Sequence, residues 1–137
     1  MHLKYLTEND WRLLRSKARR LTFRPQEIII AVNARPSALF VLARGSVSVE
    51  IIRGTTIAKL PVGSIFGEMA FVEESVASAS VVAETETEVD ALDLNDVKDI
   101  FTSYPHLEGR FYKSIALLLS QRLRQTSGQL TKVKTPS

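Results

Sequence analysis

The stretch Pro61–Ala83 holds the residues best suited to chemistry. Between two strand-like runs it inserts Gly63-Ser64-Ile65-Phe66-Gly67-Glu68-Met69-Ala70. Glycine admits a tight turn, and the helix formers Glu68-Met69-Ala70 follow, so a first helical turn here leaves its amides without intrahelical partners. Free amides beside a residue as small as Ala70 form a site for an anion. Two plainer readings stay open on the residues alone: Glu68 caps its own short helix, and Ser78 and Ser80 are ordinary strand residues.

Few other residues could do chemistry. The chain has no Cys, which removes disulfides, thiol nucleophiles and cysteine metal sites together. Its two histidines, His2 and His106, stand far apart with no second histidine nearby. A metal-dependent enzyme on a jelly roll has little to build on, and catalysis is not expected.

Elements of two kinds must position this stretch. Thr7-Glu8-Asn9-Asp10 has the form of a capped helix start, and Trp11, Leu14 and Ala18 follow at helical spacing to an end near Arg19. From Leu21 to Leu94 the chain becomes a series of short β-branched runs: Leu21–Phe23, Glu27–Val32, Leu39–Ala43, Ser46–Ile52, Thr56–Leu60, Ser78–Ala83 and Val89–Leu94. Pro25, Asn33, Pro36, Gly45, Gly54, Pro61 and Gly63 punctuate them. In Ser46–Ile51 the alternation places Val47, Val49 and Ile51 on one face, with Ser46, Ser48 and Glu50 on the other. Many short strands without helices between them predict a sandwich or barrel.

After Leu94 the helical period returns. Asn95 is the expected N-cap of a short helix through Val97, Ile100 and Phe101, and Pro105 suits the first turn of the next. That last helix sets Phe111, Ile115, Leu118, Leu119 and Leu123 on one stripe, with Gly128 as its expected stop and 127–137 as a flexible tail. The stripe can pack on the chain's own barrel, on a second copy or on a neighbouring domain.

The 137 residues fit one domain, placed at 7–126, and 45 % hydrophobic with 24 % charged residues is the balance of a soluble globular chain. No apolar run approaches the ~20 residues of a membrane span, and the start lacks a signal-like stretch, so a cytoplasmic location is expected. The net charge of +3 hides segregation: residues 1–24 carry +5, 25–66 carry +2, 67–99 carry −9 and 100–137 carry +5. Basic terminal helices over an acidic middle account for this as well as a nucleic-acid face does. No base-reading element is recognisable, so direct DNA binding is not expected.

The stretch from Gly63 resembles the phosphate-binding cassette of the cyclic nucleotide-binding domain family. That pattern reads Gly-x-x-Phe-Gly-Glu-Leu-Ala, about six residues, then Arg-Ala-Ala-Thr-Val. Here Gly63, Phe66-Gly67-Glu68-Met69-Ala70 and Ala77-Ser78-Ala79-Ser80-Val81 fall in the same register. Leu39-Phe40-Val41-Leu42-Ala43-Arg44-Gly45-Ser46-Val47 is similar to a second family pattern, and the likeness runs from Trp11 to Arg124.

The resemblance implies a mainly β fold: an eight-stranded jelly-roll β-barrel with an N-terminal helix, a short cassette helix and C-terminal helices. It implies a regulatory, ligand-sensing domain with cyclic AMP or cyclic GMP as ligand and no cofactor. Gly67 would turn the backbone toward the cyclic phosphate, the Ala70 region would donate amides, and Glu68 would accept the ribose 2′-hydroxyl. Ser78 would touch base or phosphate, and Ser80 would end the cassette. The binding set is then Phe66, Gly67, Glu68, Met69, Ala70, Ala77, Ser78, Ala79 and Ser80.

Three departures weaken that expectation. The family's phosphate-pairing arginine falls at Ala77, and losing one member of a buried charged pair costs about 2–5 kcal/mol. Glu73 and Glu74 add negative charge. Glycines common before and after the second strand are replaced by Gln26 and by Asn33-Ala34-Arg35, which predicts loops of different shape. Arg44, Arg53, Arg110 and Arg122 are candidate substitute cations. The alternative is a domain that binds no nucleotide and serves as a structural, oligomerising or interaction module, a homodimer or docked neighbour meeting it at Leu118 and Leu119. A transcription factor with its own DNA-binding unit is disfavoured, because only about a dozen residues follow Arg124.

Overall fold

A computed structural model describes residues 3–68, 72 and 76–134, with side chains as far as Arg124. Helix α1 (Glu8–Arg15) leads into strands β1 (Arg19–Phe23), β2 (Ile28–Ile30), β3 (Ala38–Arg44), β4 (Val47–Ile52), β5 (Thr55–Leu60), β6 (Ile65–Phe66), β7 (Ser80–Ala83) and β8 (Thr87–Asp93). Helices α2 (Leu94–Ser103) and α3 (Pro105–Lys134) follow. Among the described residues the strands form two antiparallel sheets, ordered β1-β8-β3-β6 and β2-β7-β4-β5. First pairs with last, second with seventh, third with sixth and fourth with fifth, the signature of a jelly roll.

The near-continuous apolar run of β3 has a direct cause, because both faces of its sheet are covered. Leu39 and Val41 point outward to the helices, into a core with Leu14, Ile65, Leu92, Phe101, Phe111, Ile115 and Leu118. Phe40 and Leu42 point into the barrel, with Ile30, Val47, Phe66, Val81 and Val89. Most of the last helix's stripe is therefore used inside this chain: Phe111, Ile115 and Leu118 are buried, Leu119 packs beside them, and only Leu123 is exposed. The Leu118 and Leu119 side is not a free contact face.

The termini are tied together. Thr7 and Asp10 cap α1 reciprocally, the Asp10 amide donating to Thr7 Oγ1 at 3.1 Å and the Thr7 amide to Asp10 Oδ2 at 3.0 Å. Arg110 of α3 grips the same buried Asp10 with two donors, at 2.7 and 2.8 Å. The Tyr5 amide donates to Ser114 Oγ at 2.8 Å, and Lys113 lies over the Tyr5 ring. Part of the charge segregation resolves across the first sheet, where Arg19 meets Asp93, Arg20 meets Asp90 and Glu88, and Arg44 meets Glu88 and Glu86.

Several local expectations need correction. Helix α1 stops at Arg15 rather than near Arg19, because Arg19 and Arg20 join β1 opposite Ala91 and Asp90. The N-cap of α2 is Asp93, not Asn95, and its carboxylate is turned to Arg19 instead of capping. In β4 both predicted faces are buried at first, Val47 with Ser48 and Glu50, and the apolar end emerges: Glu50 is 6 % exposed and Ile51 is 56 % exposed. Two bulges break the alternation, and Glu50 folds onto the following turn, accepting from the Gly54 amide at 2.8 Å, Arg53 at 3.0 Å and Ser48 at 3.1 Å. Helix α3 runs through Gly128 to Lys134, so that glycine is no stop.

Candidate functional site

The site is built on three copies of one backbone device. In each, a four-residue turn closes with its third residue at positive φ, and the third and fourth residues together oppose a single residue on another segment. Gln26 and Glu27 oppose Ala83, Asn33 and Ala34 oppose Ala77, and Gly63 and Ser64 oppose Leu42. The positive φ values are 73° at Gln26, 69° at Asn33 and 91° at Gly63. These are bulges of the kind that normally begins with glycine. Gln26 and Asn33 thus hold, without being glycine, a backbone that glycine adopts most readily.

The third device delivers the chain into β6 and the start of the cassette. Ile65 faces the helices and Phe66 the barrel, where it stacks on Phe40 with centroids 5.3 Å apart. Gly67 then turns at φ 83°, and a Cβ there would lie 2.8 Å from the Ala38 carbonyl oxygen. No other residue fits without moving β3. By alternation with Ile65, Ser64 shares the barrel face with Phe66. Its hydroxyl is fully buried and, among the described residues, has no hydrogen-bond partner.

Glu68 is buried, and it is held from α3. Arg122 donates to Glu68 Oε1 through one nitrogen and to the Ile65 carbonyl through another, at 2.7 Å for the latter. One guanidinium thus joins the last helix to both the strand and the carboxylate of the cassette. Met69 and Ala70, with Glu73 and Glu74, lie outside the described residues, so the amides expected to meet an anion are not placed.

The cassette closes at Ala77. Its amide donates to the Ala34 carbonyl at 2.7 Å, and its carbonyl accepts from the Asn33 amide at 2.8 Å. The Ala77 methyl packs on the barrel-interior cluster. Ser78 is exposed and Ala79 half-buried. Ser80 Oγ accepts from the Val32 amide at 2.9 Å, tying β7 to the end of β2.

The candidate substitute cations part company here. Arg44 pairs with Glu86 and Glu88, Arg53 with Glu50, and Arg110 with Asp10. Only Arg122 stands at the cassette, and it bridges Glu68 and Ile65. Sequence reasoning named Arg122 without its partner, since 54 residues separate it from Glu68 and no local pattern connects them. The Asn33–Ala77 pairing was also missed; the signal available was Asn33 itself, a residue that tolerates positive φ. Among the described residues no group of three or more metal-ligating side chains occurs, and no helix is long and apolar enough to cross a membrane.

Comparison with known proteins agrees with this geometry. The family model described as "Cyclic nucleotide-binding domain" matches residues 20–104. Cyclic GMP-binding protein C of Dictyostelium discoideum is 27 % identical over 123 residues, 87 % of this chain and 5 % of that protein. Glutaminase 2 of Bradyrhizobium diazoefficiens is 35 % identical over 95 residues, 69 % of this chain and 15 % of the relative. This chain thus spans a small part of the curated relatives it matches. Among solved structures, the catabolite activator protein of Thermus thermophilus is similar at TM-score 0.76 and 29 % identity, over 93 % of this chain and 60 % of that one. A cyclic nucleotide-binding domain from Methylobacillus flagellatus shares the fold at TM-score 0.84 and 22 % identity, over 96 % of this chain and 76 % of the other. The jelly roll, the glycine-turned strand end and the buried glutamate held from the last helix belong together: the chain is a member of the cyclic nucleotide-binding domain family.

Proposed function

We propose that this domain is a non-catalytic regulatory module of a cytoplasmic protein, one whose response to cyclic AMP or cyclic GMP is weak or has been lost. The observation that carries this reading is the methyl group of Ala77 packed in the barrel, where the sequence pattern of the family has a guanidinium. A charge-assisted hydrogen bond contributes roughly 1.5–3 kcal/mol, so cassette amides without that group hold a phosphate at least about tenfold less tightly. The name of one relative, cyclic GMP-binding protein C of Dictyostelium discoideum, supports the ligand class.

Signalling on this reading runs from Glu68 to Arg122. A ligand whose ribose hydroxyl engages Glu68 favours one arrangement of that carboxylate, and α3 follows because Arg122 holds it. The ligand shifts the populations of two helix positions by its differential affinity for them.

Calorimetric titration of the purified domain with each nucleotide tests the proposal. The native chain binds both poorly, and Ala77→Arg tightens binding at least about tenfold. Submicromolar binding by the native chain, or no gain from Ala77→Arg in a folded variant, overturns it.

A further inference from the structure

The β4–β5 hairpin leaves large apolar side chains in solvent. Ile51 is 56 % exposed, Ile52 70 % and Ile57 54 %, all gathered around the Gly54 turn. The two register shifts of the hairpin fall at Ile51 and Ile57, so neither has a partner residue on the facing strand. Single exposed isoleucines are ordinary, but three together at one turn mark a contact surface.

Strand β5 is also an open edge. It ends its sheet, and among the described residues it pairs with β4 alone. Every residue from Thr55 to Lys59 is exposed. Proteins guard such edges with proline, free charge or a bulge. β5 contains no proline, and its one charge, Lys59, is committed to Glu84 at 3.2 Å. The guard it does have is the register shift at Ile57, which shortens the regular edge.

The charges of the hairpin select the partner. From Val47 to Leu60 they are Glu50, Arg53 and Lys59, and all are matched inside the chain, Arg53 by Glu50 at 3.0 Å and Lys59 by Glu84. An anionic lipid surface or a charged peptide finds no free counter-charge there. A second copy brings an equally neutral surface and an edge with the same run of donors and acceptors. Antiparallel pairing about Ile57 sets that residue against its counterpart and Lys59 against Thr55, so the two lysines are not opposed.

We infer that this hairpin is a self-association surface: two copies join β5 to β5 across a two-fold axis at Ile57, and the isoleucines close over one another. The inference stands apart from nucleotide binding. Three isoleucines per copy fall well short of the roughly 800 Å² that each partner buries in a standard interface, so the dimer is transient, with a Kd on the order of 100 µM.

The test is sedimentation velocity of the 137-residue chain from about 5 to about 500 µM, with Ile52→Glu, Ile57→Lys and, on the exposed side of the last helix, Leu123→Glu. All three positions are exposed, and circular dichroism checks that each variant is folded. The native chain is expected to shift toward a dimer with concentration, and hydrogen exchange at the β5 amides slows in step. Ile52→Glu and Ile57→Lys weaken association at least about tenfold, since each buries an unpaired charge at the contact, and Leu123→Glu behaves as the native chain does. A native monomer at the highest concentration, a dimer that survives both hairpin variants, or one that Leu123→Glu abolishes overturns the inference. A dimer whose β5 amides gain no protection overturns the strand pairing.

Discussion

Arg122 reaches from α3 to Glu68 and to the Ile65 carbonyl, so the last helix is fastened to the very residue at which the cassette leaves its strand. The pair is buried on the carboxylate side and a quarter exposed on the arginine side, with side-chain exposures of 6 % and 26 %.

Arg122→Ala is expected to destabilise the domain by about 1–3 kcal/mol, since it leaves a buried carboxylate without its partner. Glu68→Gln costs less, and the double variant costs less than the sum of the two. Urea unfolding of the four proteins reads the coupling; strict additivity would show that the contact carries no energy of its own.

The Asp10–Arg110 pair makes stability depend on acid. The Arg110 hydrogen bonds hold the Asp10 carboxyl well below its usual value, at about 2, against the opposing effect of burial. A group depressed in the folded state stabilises it above the unfolded pKa, and that stability is lost as pH falls through the folded one. The native chain is thus expected to lose on the order of 1–2 kcal/mol between about pH 4 and pH 2, after allowing for screening of the half-exposed arginine. Asp10→Asn should be less stable at neutral pH and show a shallower acid decline. Parallel pH profiles for the two proteins would refute this assignment.

Gly67→Ala is expected to be the most damaging single-methyl change at the site. The new Cβ would sit 2.8 Å from the Ala38 oxygen at a φ of 83°, combining a clash with backbone strain. Gln26 shares the positive φ without being glycine, so Gln26→Gly should raise stability by about 1 kcal/mol. Thermal unfolding of both variants checks the pair of signs.

Ser64→Ala is expected to stabilise the ligand-free domain by about 1 kcal/mol, because it removes a buried hydroxyl without a partner. A loss of stability in that variant would mean that the hydroxyl is satisfied in solution.

Much of the architecture was legible before any coordinates. The capping box at Thr7 and Asp10, Pro105 in the first turn of its helix and seven of the strand-like runs all correspond to observed elements. These signals are local, each set by residues a few positions apart. β6 was not among the runs, for its two residues inside the cassette carry too little periodicity to register. In β4 the alternation gave no sign that Ser48 and Glu50 would be buried and Ile51 exposed, since the register shifts and the folded-back Glu50 answer to β5 and its turn. The pairing of Arg122 with Glu68, and of Asn33 with Ala77, is decided by how distant segments meet. Only Asn33 bore a local trace, its tolerance for the left-handed region.

The uninterrupted run of α3 gives that fastening mechanical reach. Thirty helical residues extend about 45 Å, and twelve of them, about 18 Å, lie beyond Arg122. Pivoted at its grip on the barrel, the rod behaves as a lever whose short arm feels the cassette: a tilt of about 10° would swing Lys134 through about 3 Å. A rearrangement small enough to be absorbed within the barrel is thereby converted into a displacement that a neighbouring surface can read.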